Sequence, residues 1–179
     1  MVLSSQEYNR ESFILIVDDD NTLLKFFKIH LNKFFSKIIV VENAKDALKK
    51  LKETNIDLVI SDIRMPKVDG LELMEKVKKY DPSIPTLLVS GALLDAEKLE
   101  AVAKFSDGFL KKPFTIEQLH EFIEMGMRLR LAYAELTPMA KSKKTLRALL
   151  DHQMSPEEAI KKADLLKATE ILSTLKKAG

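Results

Sequence analysis

Five short apolar segments recur along the first 112 residues, and a stretch with helical spacing follows each of them. The first segment, FILIV, has no polar alternation, which is typical of a strand buried on both faces of a sheet. Strand–helix units with short connections predict an α/β fold, a five-stranded parallel sheet covered by helices on both faces. The predicted strands are FILIV (13–17), KIIVV (37–41), DLVIS (57–61), PTLLVS (85–90) and DGFLKK (107–112).

Apolar residues at three- and four-residue spacing mark the helices between these strands. Asn43 stands where the second helix begins and is expected to cap it. In the fourth helix, predicted over 95–105, Leu99 and Val102 are expected to face inward. The inward positions of the first three helices are Leu24, Phe27, Leu31 and Phe34, then Ala44, Ala47, Leu48 and Leu51, then Leu71, Met74 and Val77.

Charged and hydroxyl residues stand where the predicted strands end. They are Asp18-Asp19-Asp20 after the first strand, Asp62 after the third, Ser90 at the end of the fourth and Lys111-Lys112 at the end of the fifth. In open parallel sheets, ligands bind outside the carboxyl ends of the strands. Each residue alone is readily explained as a solvated side chain or a helix cap. Together they indicate a site, because clustered carboxylates destabilise a fold unless a cation joins them.

The chemistry of this cluster favours a hard divalent ion. Mg²⁺ binds about six oxygens at roughly 2.0–2.1 Å and keeps several waters, so two or three carboxylates and a backbone carbonyl suit it. The chain has no cysteine and no histidine adjoins these strand ends, so zinc is not expected. A metal ion beside a spare carboxylate and a lysine suits phosphoryl transfer, because both cations neutralise the transferring group.

Residues 12–125 resemble the receiver domain of two-component response regulators. The resemblance rests on ILIVDDD, on DLVISDIRMPKVDGLEL with its D-x-x-M-P-x-x-x-G block (Asp62, Met65, Pro66 and Gly70), on PTLLVSG and on GFLKKPF. These motifs occur in the family's order and spacing and cover about two-thirds of the chain. The resemblance implies a doubly wound, flavodoxin-like fold.

The family pattern assigns the acidic residues. It implies that Asp62 is the phosphoacceptor, which takes a phosphoryl group from a sensor histidine kinase or a phosphotransfer protein. It also implies that Asp18, Asp19, Asp62 and the backbone carbonyl of Arg64 hold Mg²⁺. Asp20 replaces the commoner glutamate, a change expected to be neutral. With the acidic residues and the lysine all present, the chain is expected to be competent for phosphorylation.

The resemblance also implies a switch. Lys112 matches the family's phosphate-pairing lysine, Ser90 its switch hydroxyl and Phe109 its switch aromatic residue, and the Lys112–Pro113 bond is often cis in the family. An acyl phosphate adds about two negative charges and three acceptor oxygens. Movement of Ser90 toward that group and rotation of Phe109 are expected to change the surface of the fourth helix, fifth strand and fifth helix. For Phe109, a plain packing role is the alternative.

A helical C-terminal extension, 126–179, is predicted after the receiver. Thr115 and Gln118 form a capping box, and the fifth helix is expected to run to about Leu136, before Pro138. Further helices are predicted over about 139–152 and from Ser155 onward. About 50 residues of helix cannot readily bury a core of their own, so the extension is expected to pack on the receiver, on a second copy or on a partner.

Two outputs remain open for the extension. The first is a homodimer or partner-docking protein, formed through the long fifth helix and the helices after it. The second is a DNA-binding transcriptional regulator, suggested by the basic cluster Lys141, Lys143, Lys144 and Arg147. Residues 121–179 carry only 11 basic against 8 acidic residues, which makes the first output preferable. No second catalytic pattern occurs, so no enzyme activity is expected beyond phosphorylation and dephosphorylation of the receiver itself.

Composition is consistent with a globular signalling protein. The chain is 46% hydrophobic and 31% charged, with a net charge of +2, so neither a disordered chain nor a strong polyanion binder is indicated. No apolar run approaches the ~18 residues of a membrane span, and the N-terminus lacks a signal pattern. A cytoplasmic protein without membrane contact is therefore expected.

Overall fold

The computed structural model describes residues 12–32, 35, 37–91 and 93–136, with the side chains of 135 and 136 excepted. Within this part, strands and helices alternate throughout. They are β1 (Phe13–Val17), α1 (Asn21–Leu31), β2 (Lys37–Val41), α2 (Ala44–Glu53), β3 (Leu58–Asp62), α3 (Gly70–Tyr80), β4 (Thr86–Ser90), α4 (Ala96–Phe105), β5 (Gly108–Lys111) and α5 (Ile116–Leu136).

The five strands form one parallel sheet in the order β2-β1-β3-β4-β5. The predicted doubly wound, flavodoxin-like fold is thereby confirmed. Strand order reverses between β1 and β3, which is the place where ligands bind in sheets of this kind. The registers Asp62↔Val89 and Ser90↔Lys111 bring the carboxyl ends of β3, β4 and β5 level with one another.

Alternate residues of the strands face two separate apolar layers. Leu15 and Val17 of β1 belong to the layer formed with α2, α3 and α4. Ile14 and Ile16 belong to the layer formed with α1 and α5. Both faces of the central strands are therefore buried, which explains their continuous apolar sequences.

The predicted inward residues of α1, α2 and α3 that the structure describes lie in the core or pack against it, whereas one on α4 does not. Leu99 was expected to face inward, but it is 54% exposed. The core contact of α4 is made by Ala101, Val102 and Phe105. At 3.6 residues per turn, Leu99 lies roughly 115° around the helix from the middle of that face. The expectation for Leu99 was therefore wrong, whereas Val102 packs inward.

Several ends differ from the sequence-based bounds. β3 begins and ends one residue later than predicted, so Asp62 is its last residue. β5 is shorter than predicted, which leaves Asp107 before it and Lys112 after it. Asn43 caps α2 as expected, accepting a hydrogen bond from the Asp46 N–H at 2.9 Å. Phe34 lies outside the described residues.

The fifth helix continues through the division predicted between 125 and 126. Thr115 and Gln118 form the capping box at its start, with reciprocal hydrogen bonds of 2.9 and 3.2 Å. The helices predicted over 139–152 and after Ser155, and the basic cluster from Lys141 to Arg147, lie outside the described residues. Among the helices of the described part, none is both long enough and apolar enough to cross a bilayer.

Candidate functional site

Two carboxylates and one ammonium group meet at the carboxyl edge of the sheet. Asp18 follows β1 and is 3% exposed, and Asp62 ends β3 and is 8% exposed. Lys112 Nζ lies 2.7 Å from Asp62 Oδ1 and 3.0 Å from Asp18 Oδ2. The strand ends that the sequence placed near one another therefore contribute to one site.

Backbone N–H groups fix the second oxygen of each carboxylate. The Arg64 N–H donates to Asp62 Oδ2 at 2.6 Å, and the Asp20 N–H donates to Asp18 Oδ1 at 2.9 Å. Each of the four carboxylate oxygens thus accepts at least one hydrogen bond. Both carboxylates are held in one orientation before any ligand binds, which lowers the cost of binding one.

The lysine is positioned by the end of β4. The Lys112 N–H donates to the Ser90 carbonyl at 2.8 Å, and the Lys112–Pro113 peptide bond is cis. Ser90 is the last residue of β4 and is buried at this edge. Phe109, in contrast, lies on the more exposed face of β5, and 37% of its surface is exposed. The structure therefore places Ser90 and Lys112 beside the carboxylates and Phe109 on the outer surface.

The electrostatics of the site are uneven. Burial raises the pKa of the Asp18 carboxyl above its ordinary 3.8, and the hydrogen bonds from Asp20 and Lys112 only partly offset this. Burial alone would lower the pKa of Lys112, but its hydrogen bonds to Asp62 and Asp18 outweigh burial and raise it above 10.5. One ammonium group serves two carboxylates, so the lysine gains two partners while an excess negative charge remains.

The donor set for a cation consists of oxygen atoms. Among the described residues, no three acidic or histidine side chains are gathered as a ready metal site, and Asp19 is exposed. Asp18 and Asp62 supply buried carboxylates, and the Arg64 carbonyl lies in the loop directly after β3. Oxygen ligands with an excess negative charge fit Mg²⁺, which retains several waters when protein ligands are few.

Asp20 has the structural role of a helix cap, the alternative that its place after β1 also allowed. Its Oδ1 accepts hydrogen bonds from the N–H groups of Thr22 and Leu23 at 2.8 and 3.3 Å, so it caps α1. These backbone hydrogen bonds lower the pKa of Asp20. The cap links the start of α1 to Asp18 through the Asp20 N–H. An acidic residue before a helical pattern was the available signal.

The loop after Asp62 explains the glycine of the motif. A Cβ atom on Gly70 would lie 2.0 Å from the Asp62 backbone oxygen, so a larger residue there requires the loop to shift. Between them, Lys67 has a φ of 71°, and the Val68 N–H donates to the Pro66 carbonyl at 2.9 Å. This is a γ-turn with its central residue in the strained positive-φ region. The loop therefore passes close to the backbone of Asp62.

Comparison with known proteins agrees with this geometry. A family model for the response regulator receiver domain matches residues 14–124. The transcriptional regulatory protein GlrR of Escherichia coli (strain K12) is 31% identical over 118 residues, which cover 65% of this chain and 26% of that protein. The probable transcriptional regulator ycf27 of Cyanidium caldarium is 25% identical over 172 residues, covering 96% of this chain and 69% of that protein.

A solved structure gives the same answer for the fold. The CheY-like receiver domain protein of Methanospirillum hungatei JF-1 is 27% identical with a TM-score of 0.62, and the match covers 66% of this chain and 95% of that one. This chain spans only about a quarter of the length of GlrR, so the activity of that whole protein is not transferred to it. The matched residues include all of the sheet except the first residue of β1, and the chain belongs to the family of response regulator receiver domains.

Proposed function

We propose that the receiver accepts a phosphoryl group on Asp62 from a sensor histidine kinase or a phosphotransfer protein of a two-component system. The observation that carries the proposal is the buried Asp62 carboxylate with Lys112 Nζ 2.7 Å away. An Asp62 oxygen forms the new bond to phosphorus, and the P–N bond of a phosphohistidine breaks, with its electron pair leaving on the imidazole. Lys112 is placed to pair with the oxygens of the transferred group.

Mg²⁺ is proposed as the cofactor. Asp18, Asp19, Asp62 and the Arg64 carbonyl would hold it, and when bound it would neutralise charge on the phosphoryl oxygens. Support comes from the pKa of Asp18, which is raised although Lys112 lies 3.0 Å away. A buried carboxylate that one lysine does not fully compensate favours a second cation beside it.

Ser90 and Phe109 are proposed to convert phosphorylation into a surface change. Ser90 is buried at the same edge as Asp62, and its carbonyl is already bonded to the Lys112 N–H. Movement of Ser90 toward a phosphoryl oxygen would change the packing space beside Phe109 on β5. Inward rotation of Phe109 would then alter the outer surface of α4, β5 and α5. Outside this self-phosphorylation and its reversal, no enzyme activity is proposed.

The phosphoacceptor assignment is tested by labelling. The chain is incubated with Mg²⁺ and ³²P-labelled acetyl phosphate, as native protein and as Asp62→Asn and Asp95→Asn. Asp95 caps α4 on the surface, and asparagine caps equally well, so this variant is a matched control. We expect label in the native chain and in Asp95→Asn and none in Asp62→Asn. Label retained in Asp62→Asn would refute the assignment.

The proposed output is control of dimerisation or partner binding through the C-terminal helices. On α5, Met127, Leu129 and Ala132 are buried within the chain itself, so these residues are not available to a second copy. Leu99 and Phe109 are the more exposed apolar residues near the proposed switch. Light scattering with Mg²⁺, with and without beryllium fluoride, tests this output. A phosphorylation-controlled dimer gains mass with beryllium fluoride, and an unchanged mass contradicts it.

DNA binding is the second candidate. The match to ycf27 is the observation in its favour, because it extends over 96% of the chain and therefore past the receiver. Binding to duplex DNA should then weaken steeply with salt and disappear when Lys141, Lys143, Lys144 and Arg147 are replaced by glutamine. Binding that is unaffected by these replacements would argue against a role for this cluster.

A further inference from the structure

One shielded carboxylate, that of Asp107, lies at the opposite, amino edge of the sheet. Asp107 Oδ2 accepts hydrogen bonds from Lys78 Nζ at 2.6 Å, from the Thr86 N–H at 2.7 Å and from Thr86 Oγ1 at 3.2 Å. Its other oxygen, Oδ1, accepts from the Tyr133 hydroxyl at 2.6 Å. One side chain thus joins α3, the start of β4, the start of β5 and the late part of α5.

The last described turns of α5 are fixed to this edge. Tyr133 is 3% exposed, and burial together with the charge of Asp107 raises the pKa of its hydroxyl, which therefore stays a donor. Arg130 adds hydrogen bonds of 3.3 Å to both Asp57 and Ser83, which precede β3 and β4. Close approach is possible because a Cβ atom on Gly126 would lie 2.7 Å from Leu58 Cδ1.

Two strands, β4 and β5, have their amino ends beside Asp107 and their carboxyl ends at the proposed phosphorylation site. β4 runs from Thr86, which donates to Asp107, to Ser90. β5 runs from the residue after Asp107 to the residue before Lys112. β5 has only four residues and pairs with β4 along its whole length, so we take a shift at its carboxyl end to reach its amino end. A shift of about 1 Å would lengthen hydrogen bonds of 2.6–2.7 Å beyond their useful range.

We propose that the Asp107–Tyr133 hydrogen bond restrains the switch. It holds β5 where the unphosphorylated site requires it, with Lys112 bonded to Asp62, and phosphorylation loosens the turns of α5 around Tyr133. The signal therefore reaches the chain after α5 through the amino edge of the sheet. This inference rests on the proposed function, because it takes phosphorylation of Asp62 as its input. Coupling between two sites is reciprocal, so if phosphorylation weakens the Asp107–Tyr133 hydrogen bond by some factor, loss of that hydrogen bond favours the phosphorylated state by the same factor.

The test measures the affinity of the full chain for beryllium fluoride in the presence of Mg²⁺ by calorimetry. Tyr133→Phe removes only the restraining hydroxyl, and Tyr80→Phe removes a hydroxyl from a tyrosine that is 46% exposed. We expect Tyr133→Phe to bind about fivefold more tightly, at the lower end of coupling between sites, and Tyr80→Phe to bind like the native chain. Equal affinities of all three proteins would overturn the restraint.

A second measurement does not depend on the folding of any variant. Hydrogen exchange of the amides of 126–136 in the native chain should become faster when beryllium fluoride and Mg²⁺ are added, because α5 loosens there. Unchanged or slower exchange would overturn the inference while leaving the proposed function intact. Failure of the native chain to bind beryllium fluoride at all would overturn the proposed function, and the restraint with it.

Discussion

The two edges of the sheet both hold shielded carboxylates, and they satisfy them in opposite ways. At the amino edge, Asp107 accepts four hydrogen bonds, one of them from an ammonium group of its own. At the carboxyl edge, Asp18 and Asp62 share Lys112 and retain an excess negative charge. The charge of Asp107 is therefore balanced by Lys78, whereas the charges of Asp18 and Asp62 are balanced only if a further cation binds or Lys112 moves to another partner. We interpret the first as stabilising and the second as poised for a ligand.

The largest expected effect is a difference in unfolding free energy between two variants, each of which neutralises a carboxylate at one edge. Asp107→Asn should lower the free energy of unfolding by about 3 kcal/mol, because Lys78 loses its buried partner and an amide cannot accept four hydrogen bonds. Asp18→Asn should change it by less than about 1 kcal/mol, because the neutral form relieves the charge excess and Lys112 keeps Asp62. Urea unfolding of both variants measures the contrast. Comparable losses in the two would remove the distinction between the edges.

A smaller effect is expected from the backbone of the carboxyl edge. Gly70→Ala places a methyl group 2.0 Å from the Asp62 carbonyl, so the loop must shift, at a cost of about 2 kcal/mol in unfolding free energy. At Gly91 an added Cβ would meet Lys112 Cβ at an ordinary 3.6 Å, so Gly91→Ala is the matched control. We expect Gly91→Ala to unfold within about 0.5 kcal/mol of the native chain. A Gly70→Ala chain as stable as the control would show that this loop yields easily.

The pH dependence of stability separates the acidic residues at the start of α1. The pKa of Asp18 is raised, so its contribution is fully present below its unfolded value of 3.8 and is lost as pH rises through the folded pKa. The native chain should therefore lose stability relative to Asp18→Asn as pH rises above 3.8. The pKa of Asp20 is lowered, so its contribution is lost as pH falls through the folded pKa. Relative to Asp20→Asn, the native chain should therefore gain stability as pH rises through the acid range to about 3.8.

Urea unfolding between pH 3 and 7 measures both differences. The two variants control for each other, because each removes one carboxylate from the same turn: Asp18 is buried beside Lys112, whereas Asp20 is exposed and caps α1. Slopes of the same sign would contradict the assignment of Asp18 as the uncompensated carboxylate.

The contrast between the edges also explains what the sequence could predict. The carboxyl edge was accessible because strand ends are visible as the end of an apolar run, and parallel strands bring their carboxyl ends together. Asp18, Asp62, Ser90 and Lys112 were placed there correctly. The assigned roles in Mg²⁺ binding and phosphorylation remain predictions. The fold followed from the five apolar runs, and the one-residue shift of β3 did not affect it.

The amino edge gave no comparable signal. Tyr133 lies 26 residues after Asp107 and Lys78 lies 29 residues before it, so no local spacing connects them. The sequence analysis included Asp107 in the fifth predicted strand because an apolar run follows it. That run gives no sign that the Asp107 side chain accepts hydrogen bonds from Thr86 at the start of β4. The prediction that Leu99 faces inward was wrong for a related reason. Periodicity identifies the apolar stripe of a helix but does not show how much of that stripe contacts the core.

The smallest expected effect concerns the strained turn at the carboxyl edge. Lys67 is exposed and has a φ of 71°, so its cost lies in the backbone. Glycine relieves that strain but adds freedom to the unfolded chain, and Lys67→Gly should raise stability by only about 0.5 kcal/mol. Lys67→Ala removes the same side chain and keeps the strain, so it should give no gain.

Thermal unfolding of the two variants decides the source of the effect, with a rise of about 2 °C expected for glycine alone. An equal rise in Lys67→Ala would place the cost in the lysine side chain and not in the turn. A gain confined to glycine would mean that the carboxyl edge carries backbone strain as well as excess charge. The loop of Asp62 would then hold strain that a rearrangement can release, which is a property that a ligand-driven switch can use.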